Sequence, residues 1–263
     1  MSGENSIEFL SPLQPYAFME SWYDLSDASH FWFQGRLAAL QQQLKDLHFP
    51  TQKNLKVLDV GCGTGVLRAQ LEAMTAWEVD ATDLDYNALQ HAKPGRGRIL
   101  YYDILETKAD LHEHYDVVML FDVLEHIDAT QPFIAALLQH IKPGGHLIVN
   151  VPALQWLYSR YDQVQGHVRR YNPTTLAQEF QAFPLQIKDT RYWGLVNVPL
   201  IWARKLWLAM ARGQSNEEIF QQGFKPPSPS VNEALLRLMR LELSLMKRPF
   251  LGSSVLLVGE KTA

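Results

Sequence analysis

Cysteine is nearly absent from this chain: Cys62 is the only one among 263 residues. A single thiol excludes an intramolecular disulfide and any zinc cage built on cysteines. Long apolar runs are missing too. No stretch of about 18 uncharged apolar residues occurs, so no membrane-spanning helix is expected. Residues Met1 to Leu10 lack a basic region followed by an apolar run, so no signal peptide is expected and the cytoplasm is the expected compartment. Basic charge is not in excess: 24 Lys and Arg stand against 28 Asp and Glu, a net charge of −4 with an isoelectric point near 6.1. That balance carries no general nucleic-acid footprint, and no nucleic-acid partner is expected. Internal repeats and low-complexity tracts are absent as well. What is present is 47% hydrophobic and 20% charged residues, which excludes disordered and fibrous chains. At roughly 150 residues per domain, the length fits one large domain or two small ones.

The chain changes rhythm near residue 52. Before it, the aromatic run His30-Phe31-Trp32-Phe33-Gln34-Gly35-Arg36 leads into Leu37, Leu40, Leu44 and Leu47, one face of a helix closed by Pro50. After it, strands alternate with helices. Leu55–Val60, Trp77–Thr82, Arg98–Tyr102, Tyr115–Phe121 and His146–Val151 are predicted strands, several of them continuously apolar. Helices are predicted over Gly65–Thr75, Asp85–Ala92 and Pro132–Ile141. This alternation predicts a parallel sheet covered on both faces. A polar, aromatic loop follows, from Pro152 to Tyr171. Asn172-Pro173 then reads as a cap and first turn of a helix running to about Ala182. Strands at Leu185–Tyr192 and Ser253–Gly259 enclose an apolar helix (Val196–Ala211), a Pro/Ser-rich linker (Gly223–Ser230) and an amphipathic helix (Val231–Lys247).

The strongest local signal is Val57-Leu58-Asp59-Val60-Gly61-Cys62-Gly63-Thr64-Gly65. Glycines after a strand make a tight turn and admit a ligand close to the backbone. By itself such a loop is equally a dinucleotide or phosphate site. Its Gly-x-Gly-x-Gly spacing departs from the dinucleotide pattern, and Asp59 stands in the strand end before it. Asp83 closes the next strand, where a carboxylate can accept both hydroxyls of a ribose. Asp103 follows the third strand, within reach of an adenine amine. Three strand ends thus offer a glycine turn, a ribose acceptor and a base acceptor, a site for an adenosine-containing ligand.

VLDVGCGTG, Asp83, the Asp103-Ile104 pair, YDVVMLFDVLEHI and LLQHIKPGGHLIVNVPA together resemble the class I S-adenosylmethionine-dependent methyltransferases over roughly Lys53 to Val151. The resemblance implies an α/β, doubly wound, Rossmann-like sheet of seven strands, mostly parallel, with the last antiparallel. It implies S-adenosylmethionine as cofactor, with Gly61, Gly63 and Gly65 close to the methionine part and Asp59 taking its amino group. It also implies that Asp83, with Leu84 beside it, holds the ribose, that Asp103 and Ile104 hold the adenine, and that Phe121 lies beside the methionine. Cys62 fits a small-residue slot in the loop. VPALQWLYSRYDQVQGHVRRY, HFWFQGR and PFLGSSVLLVGEK resemble a bacterial branch associated with sugar-polymer and glycolipid enzymes and, more loosely, the quinone O-methyltransferases.

Beyond the cofactor, His126 follows the fourth strand beside Glu125 and is a candidate to border the methyl acceptor and take its proton, since histidine titrates near neutrality. His167, Arg170 and Tyr171 form a polar cluster on the loop after the fifth strand. His167 is a second candidate proton acceptor, and Arg170 and Tyr171 are candidate substrate contacts, although one arginine can equally tie the loop to an aspartate such as Asp162. His112-Glu113-His114 reads as surface, and nothing in the sequence calls for a metal.

The expected organisation is an N-terminal helical lid (1–51), a cofactor-binding core (52–193 with 253–263) and a helical insertion between the last two strands (194–252). The stretch from Trp193 into the insertion carries Trp193, Trp202 and Trp207 with Arg204, Lys205 and Arg212. It is read either as cover for the sheet or a second subunit of a homo-oligomer, or as a peripheral membrane contact through 194–212. The expected function is methyl transfer from S-adenosylmethionine to a small or lipid-linked acceptor at oxygen. The competing expectations are a nicotinamide-dependent oxidoreductase and a catalytically idle subunit that only binds S-adenosylmethionine.

Overall fold

In the computed structural model, residues 6–14, 28–210, 213–224 and 226–262 are described. Arg212 and residues 15–27 of the expected lid lie outside them. Among the described residues the strands are β1 (Ile7–Phe9), β2 (Lys56–Val60), β3 (Glu78–Asp83), β4 (Ile99–Tyr101), β5 (Tyr115–Phe121), β6 (Ile141–Pro152), β7 (Leu185–Trp193) and β8 (Ser254–Lys261). The helices are α1 (Phe31–Asp46), α2 (Val66–Met74), α3 (Tyr86–Gln90), α4 (Thr130–Gln139), α5 (Arg160–Val164), α6 (Pro173–Glu179), α7 (Asn197–Met210), α8 (Asn216–Phe224) and α9 (Pro229–Leu245).

The eight strands form one sheet in the order β1-β4-β3-β2-β5-β6-β8-β7. All neighbours are parallel except the two pairs made by β8, which runs antiparallel to both β6 and β7. Seven of these are the expected strands. The eighth corrects the count: β1 adds in parallel to β4, with Ile7 opposite Ile99 and Phe9 opposite Tyr101. Strand order reverses at β2, between β3 and β5, which is where ligands bind in sheets of this type.

Alternation along the strands divides the core. From β5, Val118 and Leu120 face a cluster completed by Ile134 and Leu137 of α4 and Leu176 of α6. Val117, Met119 and Phe121 face the opposite cluster, with Leu40 and Leu44 of α1 and Leu67 and Leu71 of α2. Buried on both sides, β5 is apolar at every position but Asp116, as parallel central strands are.

Helix α1 finds its partner in α9. At Gly35 a Cβ would run into the Met239 side chain, so the two helices meet closely there. The Phe31 N–H donates to Asn232 Oδ1 at 2.8 Å, and Asn232 Nδ2 donates to the Ser29 carbonyl at 3.1 Å. The other end of α9 is tied to the chain leaving β7: the buried Glu242 carboxylate accepts from the backbone N–H groups of Gly194, Leu195 and Val196 at 2.9, 2.9 and 3.0 Å. Charge-assisted bonds of this kind are the strong ones. Helix α1 and the 194–252 segment therefore meet on one side of the sheet, above the carboxyl ends of β2 and β5.

Candidate functional site

A cavity of about 720 Å³ opens at those carboxyl ends, within the range of pockets that enclose small molecules. Of the twelve residues expected at the cofactor and at the proton-accepting end, ten line it: Gly61, Cys62, Gly63, Asp83, Leu84, Asp103, Ile104, Phe121, His126 and His167. Arg170 lines it too.

The glycine turn is a left-handed device. Gly61, Gly63 and Gly65 have φ of +71°, +53° and +71°, a region costly to residues with a Cβ. At Gly61 a Cβ would also run into the Val123 side chain. The amides of the turn are already engaged. Gly61 and Cys62 donate to the Thr82 carbonyl at 2.9 and 3.1 Å, and Gly63 donates to Asp83 Oδ2 at 2.7 Å. Asp83 Oδ1 accepts from the Asp85 N–H at 2.9 Å. Burial raises the Asp83 carboxyl above its ordinary range, and these backbone bonds oppose the rise. A carboxylate has about four acceptor positions, so Asp83 keeps capacity for hydroxyls in the cavity.

Asp103 Oδ1 caps a short turn by accepting from the Leu105 N–H at 3.0 Å, and Ile104 is buried beneath. The Ser11 hydroxyl accepts from the Asp103 N–H at 2.9 Å, so the segment after β1 crosses this end of the site. Burial raises the Cys62 thiol well above its usual value, which leaves it a small uncharged wall residue.

Asp59 and Gly65 lie just behind the cavity. Asp59 is 2% exposed and its Oδ2 has no hydrogen-bond partner. Burial pushes its carboxyl up to about 7, against the pull of the Arg36 guanidinium and with Asp83 adding to the rise. Gly65 is the cap residue of α2.

The opposite end of the cavity joins the start of α1 to the chain that follows β5 and the chain that follows β6. Asp122, with φ of +59°, follows β5 directly. It accepts from Arg36 Nη1 at 2.7 Å and from Asn150 Nδ2 at 2.8 Å. The Arg36 guanidinium lies 4.9 Å from the Trp32 ring, 5.2 Å from Phe33 and 5.3 Å from Phe121. Glu125 is fully buried, with neither carboxylate oxygen bonded to another residue's donor. Burial, and then the nearby Asp122, raise its carboxyl well above the usual range. The His126 and His167 rings meet edge to face with centroids 4.7 Å apart. Burial, and then His167, lower His126 to about 4, so its ring is neutral at pH 7.

His167 is oriented from behind. Its Nδ1 sits 3.2 Å from Asp162 Oδ1, and Arg170 Nε donates to the same oxygen at 2.6 Å. Asp162 Oδ2 accepts from the Ser159 N–H at 2.8 Å. Burial would raise Asp162, but His167 and Arg170 together hold it well below the usual carboxylate range. Arg170 thus takes the role of loop tie to Asp162, with its Nη1 also donating to the Ala153 carbonyl at 3.1 Å, while one face lines the cavity. Tyr171 does not line the cavity. Its ring is buried in the core and its hydroxyl reaches Glu179 at 3.4 Å.

Sequence reasoning missed Arg36 and Asp122 as wall residues. Arg36 stands in the first turns of α1, and only the fold brings it to the end of β5. Glu125 carries no sequence signal beyond its place beside His126. From α7, Leu200, Ile201 and Arg204 close the outer wall.

The model of the methyltransferase domain family matches residues 9–189. The Rickettsia typhi protein named ubiquinone biosynthesis O-methyltransferase is 33% identical over 119 residues, 44% of this chain and 48% of that relative. The chain spans about half the length of the curated relatives it matches. A complex of the Haloferax volcanii Trm112 methyltransferase activator with a methyltransferase contains a chain of similar fold, with a TM-score of 0.59 at 13% identity, covering 93% of this chain and 95% of that one. Phosphoethanolamine N-methyltransferase 2 of Haemonchus contortus, solved with S-adenosyl-L-methionine, gives a TM-score of 0.51 at 16% identity and covers 86% of this chain and 52% of that one.

Proposed function

Because this chain belongs to the methyltransferase domain family, we propose that its cavity binds S-adenosylmethionine and transfers the methyl group to an acceptor oxygen. One observation carries the choice of cofactor. The Gly61, Cys62 and Gly63 amides, which would cradle a diphosphate, are spent on Thr82 and on a carboxylate, Asp83. A dinucleotide would bring its anionic diphosphate against that carboxylate. The ligand suited to this edge carries cationic sulfonium and ammonium groups and a ribose instead. Asp83 receives the ribose hydroxyls, Asp103 and Ile104 the adenine, and the Gly61–Gly65 turn the methionine chain. Asp59 attracts the ammonium from behind the turn, and Arg36, its Nε without a partner, is placed for the carboxylate.

Methyl transfer from a sulfonium is an in-line displacement with a neutral leaving group, so alignment in a closed cavity supplies most of the acceleration. The O–CH₃ bond forms as the S–CH₃ bond breaks, and the hydroxyl's proton must go elsewhere. His126 and His167 stand at that end. His167 is the better acceptor, since Asp162 fixes its Nδ1 and turns Nε2 inward, whereas His126 is a weak base.

The acceptor is a small or lipid-linked molecule. The lipid-linked form is supported by α7, which lines the cavity with Leu200, Ile201 and Arg204 while Trp202, Leu206, Trp207 and Met210 are exposed. Exposed tryptophans beside a lysine suit a membrane interface, and among the described residues no helix is long and apolar enough to cross a membrane.

Calorimetric titration tests the cofactor. S-adenosylmethionine and its demethylated product should bind and nicotinamide dinucleotides should not; the reverse order would overturn the assignment. Labelled methyl transfer to lipid and soluble extracts then identifies the acceptor. Binding without transfer to any extract component would mark the chain as an idle subunit. Co-sedimentation with anionic vesicles, reduced by Trp202→Ala with Trp207→Ala, tests the membrane contact.

A further inference from the structure

We propose that Glu125, His126 and His167 form a binding site for a divalent first-row transition-metal ion at the acceptor end of the cavity. One ligand atom from each of the three residues lies within 4.8 Å of the others, and His167 Nε2 stands 3.9 Å from Glu125 Oε1. At metal–ligand distances of about 2.0–2.2 Å, the three close on one ion by side-chain movements of about an ångström. The donor set is two imidazoles and one carboxylate, with the remaining positions facing the cavity. That set suits ions such as Co²⁺, Mn²⁺, Fe²⁺ or Zn²⁺ better than Mg²⁺ or Ca²⁺, which favour oxygen.

Two independent features point to an ion rather than to a structural cluster. The first is Glu125. It is fully buried at the cavity wall, and both of its oxygens lack a hydrogen-bond donor from another residue. An orphaned buried carboxylate is costly, and a bound cation would satisfy it. The second is the support behind His167. A metal-bound histidine typically directs its other ring nitrogen to a carboxylate that fixes the tautomer and orientation. Asp162 does this at Nδ1, and is itself pinned by Arg170 and by Ser159. His167 Nε2 is thereby turned toward Glu125 and the cavity. Asp122 is close but is engaged by Arg36 and Asn150, so it is not counted as a ligand.

The ion would give the acceptor oxygen a place to bind and would lower the pKa of its hydroxyl, so that the proton leaves to solvent before the oxygen takes the methyl group. This replaces proton acceptance by His167, because both uses need the same Nε2. That role rests on the methyl-transfer reading; the site itself does not.

The test strips the whole protein with a chelator and titrates it with Co²⁺ alone, following visible d–d absorption and heat. One Co²⁺ per chain is expected. His167→Ala and Glu125→Gln should each weaken binding at least about 100-fold, while His112→Ala, on the surface, should not change it. Circular dichroism checks folding, and His126→Ala replaces either variant that fails to fold. Absence of Co²⁺ binding, or binding unchanged in the cluster variants, overturns the site. Methyl transfer is then compared in stripped and reloaded protein, and a gain of at least tenfold on reloading is expected. Equal rates overturn the ion's part in the reaction. Co²⁺ bound at the cluster with no methyl transfer to any acceptor leaves the site standing and overturns the methyl-transfer reading.

Discussion

The two ends of the cavity are made in different ways. The cofactor end is a row of strand termini. Asp59, Asp83 and Asp103 each stand at a strand end within a 45-residue stretch, and the carboxylates of Asp83 and Asp103 accept from nearby backbone N–H groups. The acceptor end joins Arg36 of α1, Asp122 and Glu125 after β5, and Asp162, His167 and Arg170 beyond β6. Its bonds run between side chains, some neighbours in the loop after β6 (Asp162 with His167 and Arg170) and some distant in sequence (Arg36 with Asp122), and most of those side chains are buried. Backbone geometry holds the first end, and a buried charge network holds the second. Damage to the first should therefore appear as lost ligand affinity, and damage to the second as lost stability.

The largest effect is expected where the charge network is cut. Asp162→Asn leaves Arg170 buried without its counter-charge, and removal of one partner from a buried pair costs about 3–5 kcal/mol. Urea denaturation should show a loss of that size. An unchanged midpoint would mean that this end is no more dependent on charge than the other.

Asp83→Ala comes next and should show the opposite pattern. Loss of a charged hydrogen-bond partner is worth about 1.5–3 kcal/mol, so S-adenosylmethionine affinity should fall about 10–100-fold by calorimetry. The unfolding midpoint should move less than in Asp162→Asn.

Asp59 gives a pH signature. Its carboxyl lies at about 7 in the folded protein, above its ordinary 3.8, so the folded state holds a proton between those values that the unfolded state releases. Asp59 therefore favours folding most at the acid side of that window, and the contribution disappears as pH rises through 7. A bound ammonium favours the ionised form. Cofactor affinity should then be flat above pH 7 and fall by up to about tenfold per pH unit below it. In Asp59→Asn that slope should vanish, and a slope that persists would remove Asp59 from the binding reaction.

The smallest effect is expected at Tyr171. Its hydroxyl lies 3.4 Å from Glu179, with Arg169 beside it, and does not line the cavity. Tyr171→Phe should cost under about 1 kcal/mol and leave the acceptor KM unchanged. A raised KM would bring Tyr171 back as a substrate contact.

The same contrast explains what the sequence could and could not disclose. β5 and β6 stand out because strands buried on both faces are continuously apolar, and the glycine turn stands out because its function needs a local pattern. β1 was missed because three residues, Ile-Glu-Phe, carry no period, and only the edge of β4 makes them a strand. Helix α5 falls in the stretch expected as loop, although Ser159 and Asp162, the capping box at its start, are a signal the sequence carries. The Arg36–Asp122 and His167–Glu125 pairs were not legible. Their members are 86 and 42 residues apart, and nothing short of the fold states which charges share a buried space.

The placement of β8 between β6 and β7 has a consequence for biogenesis. Among the eight described strands it is the last to leave the ribosome, about 100 residues after β6 ends. Until it arrives, the apolar β6 has one edge unpaired and β7 has no strand partner, both open to chaperones and to one another. A nonsense mutation just ahead of Ser254 should thus yield an aggregating or degraded product instead of a shortened enzyme, because the missing piece is the keystone of that half of the sheet.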